Sequence, residues 1–247
     1  MRRILILVIS FIGLFSCHSP KKIKVFLAGD STMQTNDTNK TLIRGWGQLF
    51  PEAFDTSRVE IINHAIGGRS TKSFKKGGRW ERLLSEVQQN DYVIIQFGHN
   101  DASINKPERY TPPSDYKENL IGFVKDVSAK GAVPILVTPI VMRRFNEEGQ
   151  FKDGHGQYPD KMREVASEYE VALIDMHQMS MELVSRMGED NSKKLYMNLL
   201  PNEHPSYPDG LNDNTHLKEE GARAMVGLAV KGIERLGLTE LLECMKN

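Results

Sequence analysis

Apolar runs and helical periods alternate along this chain. Residues 23–28 read as a buried strand that ends at Gly29-Asp30-Ser31. Residues 59–63 form the second such run, ending before Gly67-Gly68, and residues 92–97 the third, followed by Gly98-His99-Asn100-Asp101. A fourth covers 132–138 and stops at Pro139, and a shorter fifth covers 171–174. Between them, residues 80–88 place Trp80, Leu83, Leu84 and Val87 on one helical face, and 114–130 do the same with Leu120, Phe123, Val124 and Val127. Further helices are expected over 158–169, 176–187 and 217–236. Strands without polar alternation, separated by helices, predict a mostly parallel sheet covered on both faces. The expected fold is one α/β domain of the doubly wound type. Two polar stretches, 102–113 with three prolines and 143–156 with several glycines, follow strand C-termini, where ligands bind in open α/β sheets. The second is equally readable as an ordinary surface loop.

The N-terminus breaks this pattern. Arg2 and Arg3 precede an apolar run over 4–15 that ends at Ser16-Cys17, the layout of an export signal. That run is shorter than the ~20 residues of a spanning helix. Leu14-Phe15-Ser16-Cys17 resembles a bacterial lipobox, in which Cys17 is lipidated and becomes the mature N-terminus. The organisation expected is a lipoprotein signal over 1–17, a polar linker over 18–22 and one catalytic domain over 23–247, held at the cell envelope of a bacterium or, with a plain signal, secreted. Acylation of Cys17 leaves Cys244 as the one remaining thiol, with no histidine beside it in sequence, and it is read as inert.

Composition narrows the function classes. The 247 residues suffice for one sizeable core. With 32 basic and 32 acidic residues the formal charge is zero, so bulk charge favours neither nucleic acid nor an anionic membrane as partner. No P-loop, dinucleotide glycine fingerprint or cysteine cluster is present. His64 and His177 lie at strand ends as structural groups. His155 and His204 sit in polar loops with no metal-ligand spacing, so no zinc, other metal or cofactor is expected.

The strand ends carry the candidate chemistry. Ser31 on a tight turn after the first strand can raise its hydroxyl over the sheet edge, although Gly-Asp-Ser alone is equally a turn or a helix N-cap. A serine needs a base to take its proton, and His216 is of the right type, since imidazole titrates near neutral pH. Asp213, three residues earlier and expected on the same turn, can accept the other ring N–H, or can simply complement the dipole of the last helix. Acyl transfer also needs donors for a developing oxyanion, one of which is worth about 3–4 kcal/mol. The N–H of Ser31, the N–H of Gly68 and the side-chain amide of Asn100 are the candidates.

Ser31, Gly68, Asn100, Asp213 and His216, in that order, resemble the four blocks of the SGNH branch of the GDSL hydrolases. The resemblance runs from about residue 24 to 236. Gly29-Asp30-Ser31-Thr32-Met33, Gly45-Trp46-Gly47, the run from Asn63 to Ser70, Gly78-Arg79-Trp80 and Phe97-Gly98-His99-Asn100-Asp101 are more narrowly similar to rhamnogalacturonan acetylesterases. Thr32 departs from the Leu or Ile that follows the serine in the general branch. The resemblance implies a flavodoxin-like three-layer α/β/α domain with a five-stranded parallel sheet, no metal and no cofactor. It also implies a serine esterase that removes acetyl groups from pectic polysaccharide through an acetyl-serine intermediate. An esterase acting on acetylated xylan or other acyl esters keeps the same machinery, and an anchored glycan-binding protein with a dead site is the rival from another class. Arg69 and His99 adjoin the oxyanion candidates and are candidate substrate contacts. The basic run 69–79 is equally a solvated face, and Trp46 and Trp80 are read as core rather than sugar platforms.

Overall fold

A computed structural model of the protein describes residues 22–246. The export signal with its lipidation candidate Cys17, and linker residues 18–21, lie outside the described residues. Within the described residues no helix is long and apolar enough to cross a membrane.

Strand β1 (Ile23–Gly29) pairs in parallel with β2 (Val59–Asn63) on one side and β3 (Tyr92–Gln96) on the other. The sheet continues through β4 (Val133–Val137) to β5 (Ala172–Ile174), giving the all-parallel order β2-β1-β3-β4-β5. This is the flavodoxin-like order that the resemblance implied. Each predicted strand is present, with ends displaced by no more than one residue.

Alternation along the strands divides the core in two. Val25, Leu27, Ile94, Ile135 and Val137 point to one face, where α6 (Met176–Ser192) and α7 (Glu219–Leu236) supply Met176, Val184, Met225, Ala229 and Ile233. Phe26, Ala28, Val93, Ile95 and Leu136 point to the other. There α2 (Thr71–Lys76), α3 (Arg79–Glu86), α4 (Pro113–Ala129) and α5 (Tyr158–Glu168) bring Phe74, Trp80, Leu83, Phe123 and Met162. Burial on both faces explains why the strands read as continuous apolar runs.

Four features depart from the expectation. A short helix α1 (Trp46–Leu49) and a 3-10 turn (Phe50–Ala53) follow the nucleophile loop. The start of the basic run, read as site or solvated surface, forms α2 with Phe74 buried in the core. Helix α6 runs on to Ser192 across a kink at Gly188, where φ is +73°. Most important, Asp213 and His216 are not on a turn but in strand β7 (Leu211–Leu217), which pairs antiparallel with β6 (Tyr196–Leu199) as a separate two-stranded ribbon. The last helices are α7, beginning at Glu219, and α8 (Thr239–Leu242).

Gly45 and Gly47 explain the Gly-Trp-Gly motif. A Cβ on Gly45 would collide with the backbone of Met33 and Gln34, and one on Gly47 with the Met33 carbonyl and side chain. The absence of side chains lets α1 lie directly on the turn that carries Ser31, where Trp46 donates its N–H to the Thr32 carbonyl at 2.9 Å. Gly45→Ala is therefore expected to lower stability by about 1–3 kcal/mol, read as a shifted urea midpoint, and to lower activity in the same sample by displacing the turn.

Candidate active site

The nucleophile turn is fixed from below by a buried chain of hydrogen bonds. Trp46 Nε1 donates to Gln96 Oε1 at 3.0 Å, Gln96 Nε2 to Thr32 Oγ1 at 2.7 Å, and Thr32 Oγ1 to Asp30 Oδ1 at 2.8 Å. The Thr32 N–H reaches the same carboxylate oxygen at 3.0 Å. The departure from Leu or Ile at residue 32 thus has a structural reason, because only a hydroxyl can both accept from Gln96 and donate to Asp30. Burial raises the Asp30 carboxyl, but His99 and Thr32 together outweigh it and leave its pKa lowered.

Above this chain Ser31 meets His216, the expected base. Ser31 Oγ lies 3.0 Å from His216 Nε2, and His216 Nδ1 lies 2.6 Å from Asp213 Oδ2. The carboxylate can only accept there, so Nδ1 carries the ring proton and Nε2 is free to take the one on serine. Asp213 Oδ1 also accepts the N–H groups of Thr215 at 2.9 Å and His216 at 3.0 Å, an Asx-type closure at the register shift between the ribbon's strands. The hydrogen bond to Asp213, opposed by burial, raises the His216 pKa from its ordinary value. Burial raises the Asp213 carboxyl, and hydrogen bonds from His216 and Thr215 more than reverse this.

The oxyanion candidates converge on the same edge, at the switch point between β1 and β3. A Cβ on Gly67 would stand 3.5 Å from Ser31 Cβ, which puts the Gly67-Gly68 turn against the serine. Gly68 has φ +73°, a conformation glycine adopts without penalty. Gly67 donates its N–H to Gln34 Oε1, whereas those of Ser31 and Gly68 have no acceptor among the described residues. Asn100 spends one amide hydrogen on the Arg69 carbonyl at 3.0 Å and keeps the other.

Two arginines that the sequence reading missed hold these parts in place. Arg109, in the 102–113 loop, donates to Asn100 Oδ1 at 2.8 Å and so fixes which face of the amide offers N–H. Lys72 ties the same loop down through the carbonyls of Pro107 and Tyr110, so this member of the basic run is structural. Arg143, only 5% exposed, donates to Asn214 Oδ1 at 2.8 Å, to Ser192 Oγ and to the Glu189 carbonyl, which braces the triad strand against α6. Asp101 joins the second and third blocks by accepting from Thr71 N–H at 3.0 Å and Thr71 Oγ1 at 2.6 Å, and burial pushes its carboxyl up to about 7.

His99 is placed differently from the expectation. Its ring turns inward, with a side chain 6% exposed and Nδ1 3.5 Å from Asp30 Oδ2, so it underlies the site instead of facing substrate. Arg69 remains at the surface beside Gly68, its guanidinium without an ion-pair partner among the described residues. Trp46 and Trp80 are buried, as expected, with Trp80 Nε1 on Asp126 at 2.8 Å. Cys244 is a buried free thiol, consistent with an inert residue. His204 accepts the Ser206 N–H locally. Asp153, His155 and His177, however, come together in space although nothing in their spacing announced it. Asp153-Gly154-His155 is the only local hint.

Two outcomes test this geometry. With neutral His216 acting as base, kcat/KM for p-nitrophenyl acetate should fall as pH drops through its raised pKa. Asp213→Asn removes what raises that pKa; the acid limb should move to lower pH, and the plateau should fall on the order of 10⁴-fold. Arg109→Ala should lower kcat by about tenfold with KM little changed, less than the roughly 100-fold or greater loss from removing the Asn100 donor itself. Arg109→Lys, which keeps a donor for Oδ1, should recover part of the loss.

Comparison with known proteins places this geometry among relatives. Residues 27–224 match the GDSL-like lipase/acylhydrolase family. Rhamnogalacturonan acetylesterase RhgT of Bacillus subtilis is 43% identical over 218 residues, 88% of this chain and 92% of the relative. The crystal structure of YxiM from Bacillus subtilis superposes with a TM-score of 0.76 at 28% identity, covering 89% of this chain and 58% of that one. Axe2, an acetylxylan esterase from Geobacillus stearothermophilus, shares the fold at a TM-score of 0.61 and 16% identity, over 85% of this chain and 94% of its own. A family match over residues 27–224, with a relative 43% identical across 88% of this chain, shows that the chain belongs to the GDSL-like lipase/acylhydrolase family.

Proposed function

We propose that the protein is a serine carbohydrate esterase that removes O-acetyl groups from acetylated rhamnogalacturonan. The observation that carries this is the line from Ser31 Oγ through His216 to Asp213, at 3.0 and 2.6 Å, beside three donors with capacity to spare. Ser31 Oγ attacks the acetyl carbonyl while His216 Nε2 takes its proton. The N–H groups of Ser31 and Gly68 and the free amide hydrogen of Asn100 receive the negative charge on the carbonyl oxygen. His216 then returns the proton to the departing sugar hydroxyl, leaving acetyl-Ser31. Water, deprotonated by the same imidazole, releases acetate and restores the serine.

The 43% identity to RhgT over nearly the whole of both chains supports the pectic substrate. So does Arg69, whose guanidinium next to the oxyanion turn suits a galacturonate carboxylate. The Arg2-Arg3 end, the apolar run and Cys17 support export and anchoring at the cell envelope, which would hold the enzyme where polymer fragments arrive.

Acetate release measured across acetylated rhamnogalacturonan, homogalacturonan and xylan decides the substrate. Rhamnogalacturonan should be the fastest, and a clear preference for xylan would replace this reading with the acetylxylan one. Ser31→Ala should abolish turnover while binding to the polymer persists. Arg69→Ala should raise KM on the uronate-containing polymer by about tenfold and leave p-nitrophenyl acetate hydrolysis unchanged; equal effects on both substrates would rule out a carboxylate contact.

A further inference from the structure

Acyl transfer makes no use of one buried cluster. Asp153 and His155 come from the loop after β4, and His177 is the second residue of α6. Asp153 Oδ1 lies 2.9 Å from His177 Nε2 and 3.4 Å from His155 Nδ1, and one ligating atom from each residue falls within 4.8 Å of the others. The His155 side chain is fully buried and that of His177 is 8% exposed, whereas Asp153 reaches solvent. His155 Nε2 is buried without a hydrogen-bond partner, as are both nitrogens of His99, whose ring stands edge-on to His155 at 4.6 Å.

We propose that Asp153, His155 and His177 form a binding site for one divalent cation of the zinc type. Two imidazoles and one carboxylate suit zinc, nickel or cobalt better than magnesium or calcium, which prefer all-oxygen shells. Ligands 2.0–2.1 Å from a tetrahedral cation stand about 3.3 Å from one another, close to the observed 2.9 and 3.4 Å. The exposed edge of Asp153 gives the ion a route in, and the fourth position is left for water. Two guanidiniums stand nearby, and that of Arg144 lies against Gly154 between the two loop ligands. Arg163 Nη2 lies 3.5 Å from His177 Nδ1, but two 2.9 Å bonds commit that guanidinium to Asp175. A bound cation would fasten the 143–156 loop to α6. These are the two elements that Arg143 links to the triad strand, so its effect is on stability and not on the acyl-transfer chemistry.

The test uses the untagged protein, stripped with chelator and titrated with zinc by calorimetry, with cobalt as the optical probe. One equivalent of zinc should bind and raise the melting temperature, and cobalt should give the intense visible bands of a four-coordinate site. His177→Gln and Asp153→Asn should each weaken zinc binding by more than about tenfold and abolish the thermal shift, while His216→Ala should bind as the wild type does. Melting of each variant in chelator shows whether it is folded. Wild-type protein without saturable zinc binding or cobalt bands overturns the proposal, as does binding that survives both ligand substitutions or is lost in His216→Ala.

Discussion

The structure of the site depends on a buried carboxylate. Asp30 is wholly enclosed; one oxygen accepts twice from Thr32, the other lies 3.5 Å from His99 Nδ1, and these neighbours lower its pKa against the effect of burial. An unpaired charge at that depth would cost several kcal/mol. The backbone on either side of Asp30 is therefore held in the one conformation that keeps these donors in place. Ser31 inherits that rigidity. Through Gln96 the same chain reaches Trp46, so the turn is tied to the neighbouring strand and to the short helix that lies on it.

Preorganisation extends outward from this centre by cations that bind carbonyls and amides and touch no reacting atom. Arg109 orients Asn100, Lys72 holds the loop bearing Arg109, and Arg143 holds the ribbon bearing the base. Donors aimed in advance at the place where charge will develop need no reorganisation during the reaction, and this is where most of the electrostatic advantage of such sites resides. The formal neutrality of the chain conceals this local use of positive charge.

Much of the framework was legible in the sequence because both faces of the sheet are buried, which turns each strand into an apolar run bounded by turn residues. That Ser31, Gly68 and Asn100 would meet was legible for the same reason: each follows one of strands β1, β2 and β3, which end at the same edge. The β6–β7 ribbon was not. Leu211–Leu217 is mostly polar, and its strand character comes from pairing with Tyr196–Leu199, not from a pattern of its own. Arg109 and Arg143 were missed because an arginine in a polar loop has the same sequence context whether it is solvated or bound to an amide. His99 was read outward from its neighbour Asn100, although adjacent residues at a strand end point in different directions. The trio of Asp153, His155 and His177 joins a loop to a helix start 22 residues beyond His155, and only folding brings it together.

Nucleophile and base are 185 residues apart, and the ribbon that carries the base meets the nucleophile segment directly, with the Arg44 N–H on the Leu217 carbonyl at 2.9 Å. During synthesis the serine emerges near the start and the imidazole near the end. An incomplete chain thus holds an unactivated hydroxyl and no competent base. The meeting of Ser31 and His216 therefore waits on docking of the C-terminal ribbon.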